Sequence, residues 1–193
     1  MKTLIAYATR FGATAGTAEE IDKNLREEGF DVVVADLKKG KVQSISEYDL
    51  IVLGSGMSMG NWAAEAEDFL KRFHENLVNK KLALFISSLK PVEEKDGKLK
   101  AVERIQKVGL NDKISKYQLK PIITGTFGGV VDYNKLGFMM RKAMEVGYKA
   151  KLQKYGFKET SPGVYDMHDW DEIRSWTEAL AQKAQVKEDG PNP

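Results

Sequence analysis

The first seventeen residues, MKTLIAYATRFGATAGT, constrain the fold more than any other stretch of this chain. Residues 4–8 form a short apolar run of the kind that makes a buried strand. The run passes straight into Thr9-Arg10-Phe11-Gly12-Ala13-Thr14. A helical pattern then opens, with Ala18, Ile21 and Leu25 on one face and Gly29 as its stop. A strand that enters a helix through hydroxyls and glycine leaves free backbone N–H groups at the positive end of the helix dipole. Such a turn is expected to hold an anion, a phosphate above all.

The alternation continues along the chain. Further strand-like runs fall at 31–36, 50–53, 82–87 and 122–125, separated by helical patterns. Ala63, Ala66, Phe69, Leu70 and Phe73 share one helical face, and Ala101, Val102, Ile105 and Val108 share another that is read as facing inward. Five apolar strands alternating with helices predict a parallel sheet covered on both faces. In such sheets ligands sit beyond the carboxyl ends of the strands. The loops at that edge are 9–14, 55–62, 87–90 and 127–131, rich in Gly, Ser and Thr. One domain is expected over residues 1–185, followed by a frayed tail at 186–193.

Composition narrows the chemistry. The chain has no cysteine, which excludes disulfides, iron–sulfur clusters, thiolate zinc sites and thiol redox reactions. Two histidines, His74 and His168, make a histidine-built metal site unexpected. A net charge of +2 gives no global field for nucleic acid. With no secretory leader pattern and no membrane-spanning apolar run, the chain reads as cytoplasmic, with any membrane contact peripheral.

Three kinds of phosphate loop compete for the first turn. A triphosphate loop needs Lys-Ser/Thr after its second glycine, and none follows Gly12. A dinucleotide loop needs three glycines, and a single one precedes Thr14. A monophosphate dianion suits the loop better, with the Thr9 and Thr14 hydroxyls and the N–H groups of residues 12–15 as donors. Arg10 either adds charge or points to solvent. The bland alternative is a helix cap after an ordinary turn.

Tyr7-Ala8-Thr9 through Gly12 and Thr14 resembles the FMN phosphate loop of flavodoxins, in the Y-x-T-R-x-G-x-T form of the menaquinone-dependent protoporphyrinogen oxidase family. The second loop, Gly54-Ser55-Gly56-Met57-Ser58-Met59-Gly60-Asn61-Trp62, is similar to that family's segment after strand three. So are Phe138-Met-Met-Arg141 and Asp169-Trp170-Asp-Glu-Ile to its last two helical segments. The resemblance covers about residues 1–184. It implies a flavodoxin-like, doubly wound α/β domain with a five-stranded parallel sheet in the order 2-1-3-4-5. It also implies non-covalent FMN as cofactor and a role in haem synthesis, with hydride or electrons passing through the flavin to a quinone or another redox partner. A flavodoxin electron carrier without its own substrate, and a flavin-free interaction domain, are the alternatives.

On that resemblance, Met57, Met59 and Trp62 would cover a face of the ring, although Trp62 equally suits the start of a packed helix. Ser55 and Gly56 let backbone approach closely, and Gly60 and Asn61 complete the loop. Ser87, Ser88, Leu89 and Lys90 would line the polar edge of the ring. Phe127, Gly128 and Gly129 would lie beside it, or make only a strand-exit turn. Electron-carrier flavodoxins are strongly acidic, whereas this chain is net positive. Residues 134–154 hold Lys135, Arg141, Lys142, Lys149, Lys151 and Lys154 against one acid, Glu145, with Leu136, Met139, Met140, Ala143 and Met144 at helical spacing. This single basic, amphipathic helix is either a solvated face or a contact for an anionic membrane or an anionic porphyrinogen. Asp169 is read as the N-cap of the last helix and His168 as a surface residue.

Overall fold

A computed structural model of the chain describes residues 1–186; apart from Val186, the tail expected at 186–193 lies outside the described residues. The strands are β1 (Lys2–Ala8), β2 (Asp31–Asp36), β3 (Leu50–Ser58), the two-residue β4 (Asn61–Trp62), β5 (Lys81–Ser88) and β6 (Ile123–Gly128). The long strands pair in parallel in the order β2-β1-β3-β5-β6, and β4 folds back antiparallel on β3. Counting long strands alone, this is the expected order 2-1-3-4-5.

The helices in chain order are α1 (Ala13–Glu27), α2 (Ala64–Leu77), α3 (Lys90–Lys95), α4 (Leu99–Gln106), α5 (Asp112–Lys116), α6 (Phe138–Met144), α7 (Ala150–Lys154) and α8 (Trp170–Gln185). Alternate strand residues feed opposite cores, as the two-residue period of a strand requires. Ile5, Val52 and Phe85 pack with Ile21, Leu25, Ile173 and Leu180 beneath α1 and α8. Leu4, Leu53, Leu84 and Ile86 pack with Phe69, Leu70 and Leu110 on the other face. Glu67 of α2 anchors α5 to this second face. It accepts hydrogen bonds from Lys113, from Lys116 at 3.0 Å and from Tyr117 at 2.7 Å. Burial pushes its carboxyl up, but these three donors outweigh burial and hold it at about 2.

Several elements differ from the sequence expectation. β3 runs on to Ser58 and turns through Met59 (φ +51°) and Gly60 (φ +80°), the tight hairpin geometry that needs positive φ at both central residues. β6 takes in Thr126, Phe127 and Gly128. The polypeptide then builds a second antiparallel sheet from β7 (Val130–Asp132), β8 (Glu159–Ser161) and β9 (Val164–Asp166), in the order β7-β9-β8. Residues 134–154 are not one regular helix. A 3₁₀ turn, α6, a π turn at Glu145–Lys149 and α7 follow one another. A similar π turn, Lys107–Asn111, extends α4 toward α5. There a β-carbon on Gly109 would lie 2.4 Å from Ile86 and 2.5 Å from the Met57 sulfur, so this turn seats on the sheet through glycine. A third apolar cluster joins Val92 to Val131, Tyr133, Leu152, Tyr165 and Met167, fastening the added segment to the end of the main sheet.

Candidate functional site

The strand register sets the site. Ala8, Ser55, Ile86 and Thr126 lie in one row across β1, β3, β5 and β6. The connections that leave these strands therefore emerge along one edge. The first follows β1. Gly12, at φ +99°, starts α1 and offers no side-chain cap. The Ala15 N–H turns back to the Gly12 carbonyl at 3.0 Å, which leaves the Ala13 and Thr14 N–H groups of the first turn without a helical partner. Thr9 Oγ1 accepts the Gly12 N–H at 2.9 Å, which curls the loop and leaves the hydroxyl proton free to donate. Thr14 is fully buried, and its Oγ1 has no hydrogen-bond partner. A β-carbon on Gly56 would come within 3.2 Å of that oxygen and 3.5 Å of the Arg10 nitrogen. Glycine keeps open the hollow between the first two loops. Arg10 crosses the gap and donates to the Trp62 carbonyl at 3.1 Å.

The hollow continues into a cavity of about 630 Å³. Thr9, Arg10, Phe11, Ala13 and Thr14 form one end; Gly56, Met57, Met59, Gly60, Ser87, Ser88 and Leu89 form its floor and side, with Gly129 beyond. The far walls come from segments outside the loops expected to hold the flavin. Arg104, Ile105 and Val108 stand over it from α4 and its π turn, and Leu136, Met140, Met144 and Tyr148 roof it from the added segment. Their apolar spacing was visible but reads as ordinary core. In fact no residue of α4 or α6 is fully buried, because their stripes face a cavity rather than a strand. Glu93 also lines this wall. It is 5% exposed, accepts the Tyr148 hydroxyl through Oε1, and holds Oε2 3.6 Å from the Lys98 ammonium. Burial, and then the bond to Glu93, push the Tyr148 phenol up to about 12, so it stays a donor. Thr14 Oγ1, Ser87 Oγ and Glu93 Oε2 are all buried without a hydrogen-bond partner, and all three residues line this one cavity. Glu93 Oε2 has the Lys98 ammonium nearby, whereas the Thr14 and Ser87 hydroxyls are left to the cavity, where a polar ligand suits them.

Other residues of the expected site lie elsewhere. Phe127 is 1% exposed on β6 and packs against Phe85 and Trp176 on the α8 side of the sheet, because it falls in the strand and alternation points it away from the cavity. Gly128 sits against the Met167 backbone, only 1.8 Å from where a β-carbon would be. Trp62 is buried, and its indole N–H donates to the Gly109 carbonyl at 2.6 Å, pinning the hairpin to the π turn. Ser55 is likewise inside: its Oγ accepts the Ala63 N–H at the start of α2. Asn61 donates to the Met59 carbonyl within the hairpin. Lys90 pairs with Glu172 at 3.0 Å, outside the cavity. Asp169 does cap α8, accepting the Glu172 N–H. His168 is not a surface residue; its side chain is 3% exposed.

The sequence pattern of the flavodoxin domain matches residues 4–156. The chain belongs to the flavodoxin domain family. Among curated relatives, Protoporphyrinogen IX dehydrogenase (quinone) of Escherichia coli strain K12 is 30% identical over 87 residues, 45% of this chain and 48% of that protein. The match thus spans about half the length of that relative. The protein of the same name from Leishmania major is 24% identical over 183 residues, 93% of this chain and 74% of that one. Oxidised Flavodoxin 1 from Bacillus cereus superposes with a TM-score of 0.51 at 20% identity, covering 80% of this chain and 98% of the flavodoxin. The Streptococcus pneumonia TIGR4 flavodoxin does so with 0.55 at 16% identity, covering 95% and 99%.

Membership of the flavodoxin domain family implies a flavin cofactor, and the residues present fit one. The uncapped start of α1, the orphaned Thr14 hydroxyl and the glycine-lined hollow beside it suit a phosphate. Met57 and Leu89 offer apolar surface to a flat ring, and the Ser87 hydroxyl and neighbouring backbone offer polar contacts to its edge.

Proposed function

We propose that this flavodoxin-domain protein is an FMN-dependent oxidoreductase that moves electrons between an organic substrate and a quinone, as the names of its relatives describe. FMN brings one- and two-electron redox chemistry when bound. The observation that carries the reading is the roof. Beyond the loops that suit a flavin, the cavity continues under Leu136, Met140, Met144 and Tyr148, which present an apolar surface to a flat molecule. Arg10 and Arg104 stand at this cavity as cations for an acidic substrate such as a porphyrinogen with its propionates. The Tyr148–Glu93 pair keeps a proton on the wall, and the methionines exclude water from the space between. Through such a substrate the protein would serve haem synthesis.

The roof also has an outer face. Phe138, Met139 and Val146 are 73%, 84% and 89% exposed, among Lys142, Lys149 and Arg141. We read this apolar, cationic face as a contact for an anionic bilayer, from which a quinone would enter. Among the described residues no helix is long and apolar enough to cross a membrane.

The competing reading is an electron carrier that docks only redox proteins, which the fold alone favours equally. Anaerobic mixing of the FMN-loaded protein with protoporphyrinogen IX and a soluble menaquinone analogue separates the two. The oxidoreductase reading expects loss of the oxidised flavin bands, growth of porphyrin fluorescence and reoxidation by the quinone. Flavin that stays oxidised with the porphyrinogen yet accepts electrons from a flavodoxin reductase refutes it.

A further inference from the structure

His168 packs against the first turn of α1, next to the phosphate loop. Its Nδ1 lies 2.5 Å from Asp166 Oδ1, and its Nε2 lies 3.0 Å from the Ala13 carbonyl oxygen. The ring stacks on Trp170 with centroids 4.4 Å apart and planes 17° from parallel. The two rings pack directly on α1: a β-carbon on Gly16 would lie 3.6 Å from Trp170 and 3.8 Å from His168, ordinary contact distances.

Both contacts of the ring are with acceptors. A carbonyl oxygen only accepts, and so does an ionised carboxylate. A neutral imidazole has one N–H and can satisfy one of them; the doubly protonated ring satisfies both. The charged and titratable groups near the ring, on the elements packed around it, carry both signs, and Asp171 pairs with Arg174 at 3.2 Å. Asp166 faces it from β9, Asp169, Asp171 and Glu172 from the start of α8, and Glu94 from α3, against Lys95 and the Lys90 that pairs with Glu94 and Glu172.

The bond to Ala13 reaches the cofactor side through one peptide group. The Ala13 carbonyl and the Thr14 N–H belong to the same trans amide and point in opposite directions. A cation on that oxygen polarises the amide and strengthens its N–H as a donor. That N–H belongs to the uncapped first turn of α1, beside the orphaned Thr14 hydroxyl.

We propose that His168, in its doubly protonated form, is a positioning residue for the FMN phosphate: it clamps the Ala13–Thr14 amide between Asp166 and the phosphate loop, so the grip on phosphate loosens when the ring loses its second proton. The inference rests on the reading of loop 9–14 as the FMN phosphate site. Riboflavin, which lacks the phosphate, does not feel the clamp.

The test compares dissociation constants for FMN and riboflavin by quenching of flavin fluorescence, across pH about 5.5 to 9, in the wild type, His168→Gln and Asp166→Asn. The phosphate's own proton, near pH 6, titrates alike in all three, so the ratio to wild type isolates the protein. Expected is about a tenfold weaker FMN affinity for H168Q at low pH, fading toward pH 9, with riboflavin unchanged. D166N can turn its amide NH2 to Nδ1, so a neutral tautomer accepts there while Nε2–H donates to the Ala13 carbonyl, and the pH dependence flattens. Should H168Q fold poorly, ¹⁵N spectra of histidine-labelled wild type report directly whether both ring nitrogens carry protons and whether the transition follows FMN affinity. FMN affinity in H168Q equal to wild type across the range overturns the inference, as does an equal loss for FMN and riboflavin. Wild-type protein that binds FMN no better than riboflavin overturns the phosphate reading itself, and the clamp with it.

Discussion

Thr14→Val separates what the phosphate loop does for the cofactor from what it costs the fold. Valine keeps the branched shape and removes only the hydroxyl. Thr14 is fully buried and its oxygen has no hydrogen-bond partner, so in the cofactor-free protein that oxygen is a desolvated polar atom with nothing gained. Such a group costs about 1–3 kcal/mol. Deleting it stabilises the apoprotein by about 1–2 kcal/mol, or roughly 3–6 °C in melting temperature for a chain of this size. The effect on binding has the opposite sign. A hydroxyl bonded to a charged phosphate contributes about 1.5–3 kcal/mol, so FMN affinity falls by about 10- to 150-fold. Riboflavin affinity stays within about twofold. Calorimetry of the apoprotein gives the first quantity, and fluorescence-quenching titrations with the two flavins give the second. An apoprotein that melts lower, or FMN affinity that is unchanged, refutes the assignment of Thr14 to the phosphate.

Glu67 carries a pH dependence of stability. Its folded carboxyl is held at about 2 against an ordinary 4.5, so its contribution is complete above about pH 4.5 and is lost as the pH falls through about 2. Glu67→Gln is expected to lower stability at pH 7 by about 2 kcal/mol and to flatten the acid limb of a urea-denaturation series between about pH 5 and 2; an unchanged acid limb rejects the anchor between α2 and α5. Reversing Lys142 and Lys149 to Glu is expected to cut flotation with phosphatidylserine-containing vesicles at least tenfold while FMN binding is retained, since each basic residue near an anionic surface is worth about 1 kcal/mol. Equal flotation of wild type and variant rules out the membrane reading of the roof.

The part of this molecule that the sequence announces is local. A buried strand is an unbroken apolar run, and its partner helix follows within a few residues, so the five strands could be read from the chain; their order is what the family resemblance implies. The phosphate end of the site is equally local: residues 9–14 are contiguous, and their glycine and hydroxyls state their chemistry directly. Strand ends were harder. A Thr-Phe-Gly-Gly stretch carries turn formers and reads as a loop, but β6 keeps pairing with Ser87 and Ser88 through Phe127 and Gly128. Parity then decides which way Phe127 points, and one residue of strand length reverses the answer.

The roof of the cavity escaped the sequence for a different reason. An apolar helical stripe states that something must cover it, not what. For α1 the cover is the sheet; for α4 and α6 it is the cavity at the carboxyl edge of the sheet, and the two kinds of stripe have the same spacing. What tells them apart is the polar company each keeps, and that company is assembled from afar. Glu93 meets Tyr148 across 55 residues of chain, and His168 meets Ala13 across 155. Neither pair has a local signature: Glu93 stands in a charged run that reads as solvated surface, and His168 follows a short strand near the end of the domain. A flavin-sized hollow alone would fit any member of this family. In the proposed oxidoreductase, the distant pairs, together with the cationic outer face above them, would make this edge of the sheet a place for a second substrate as well as for a flavin.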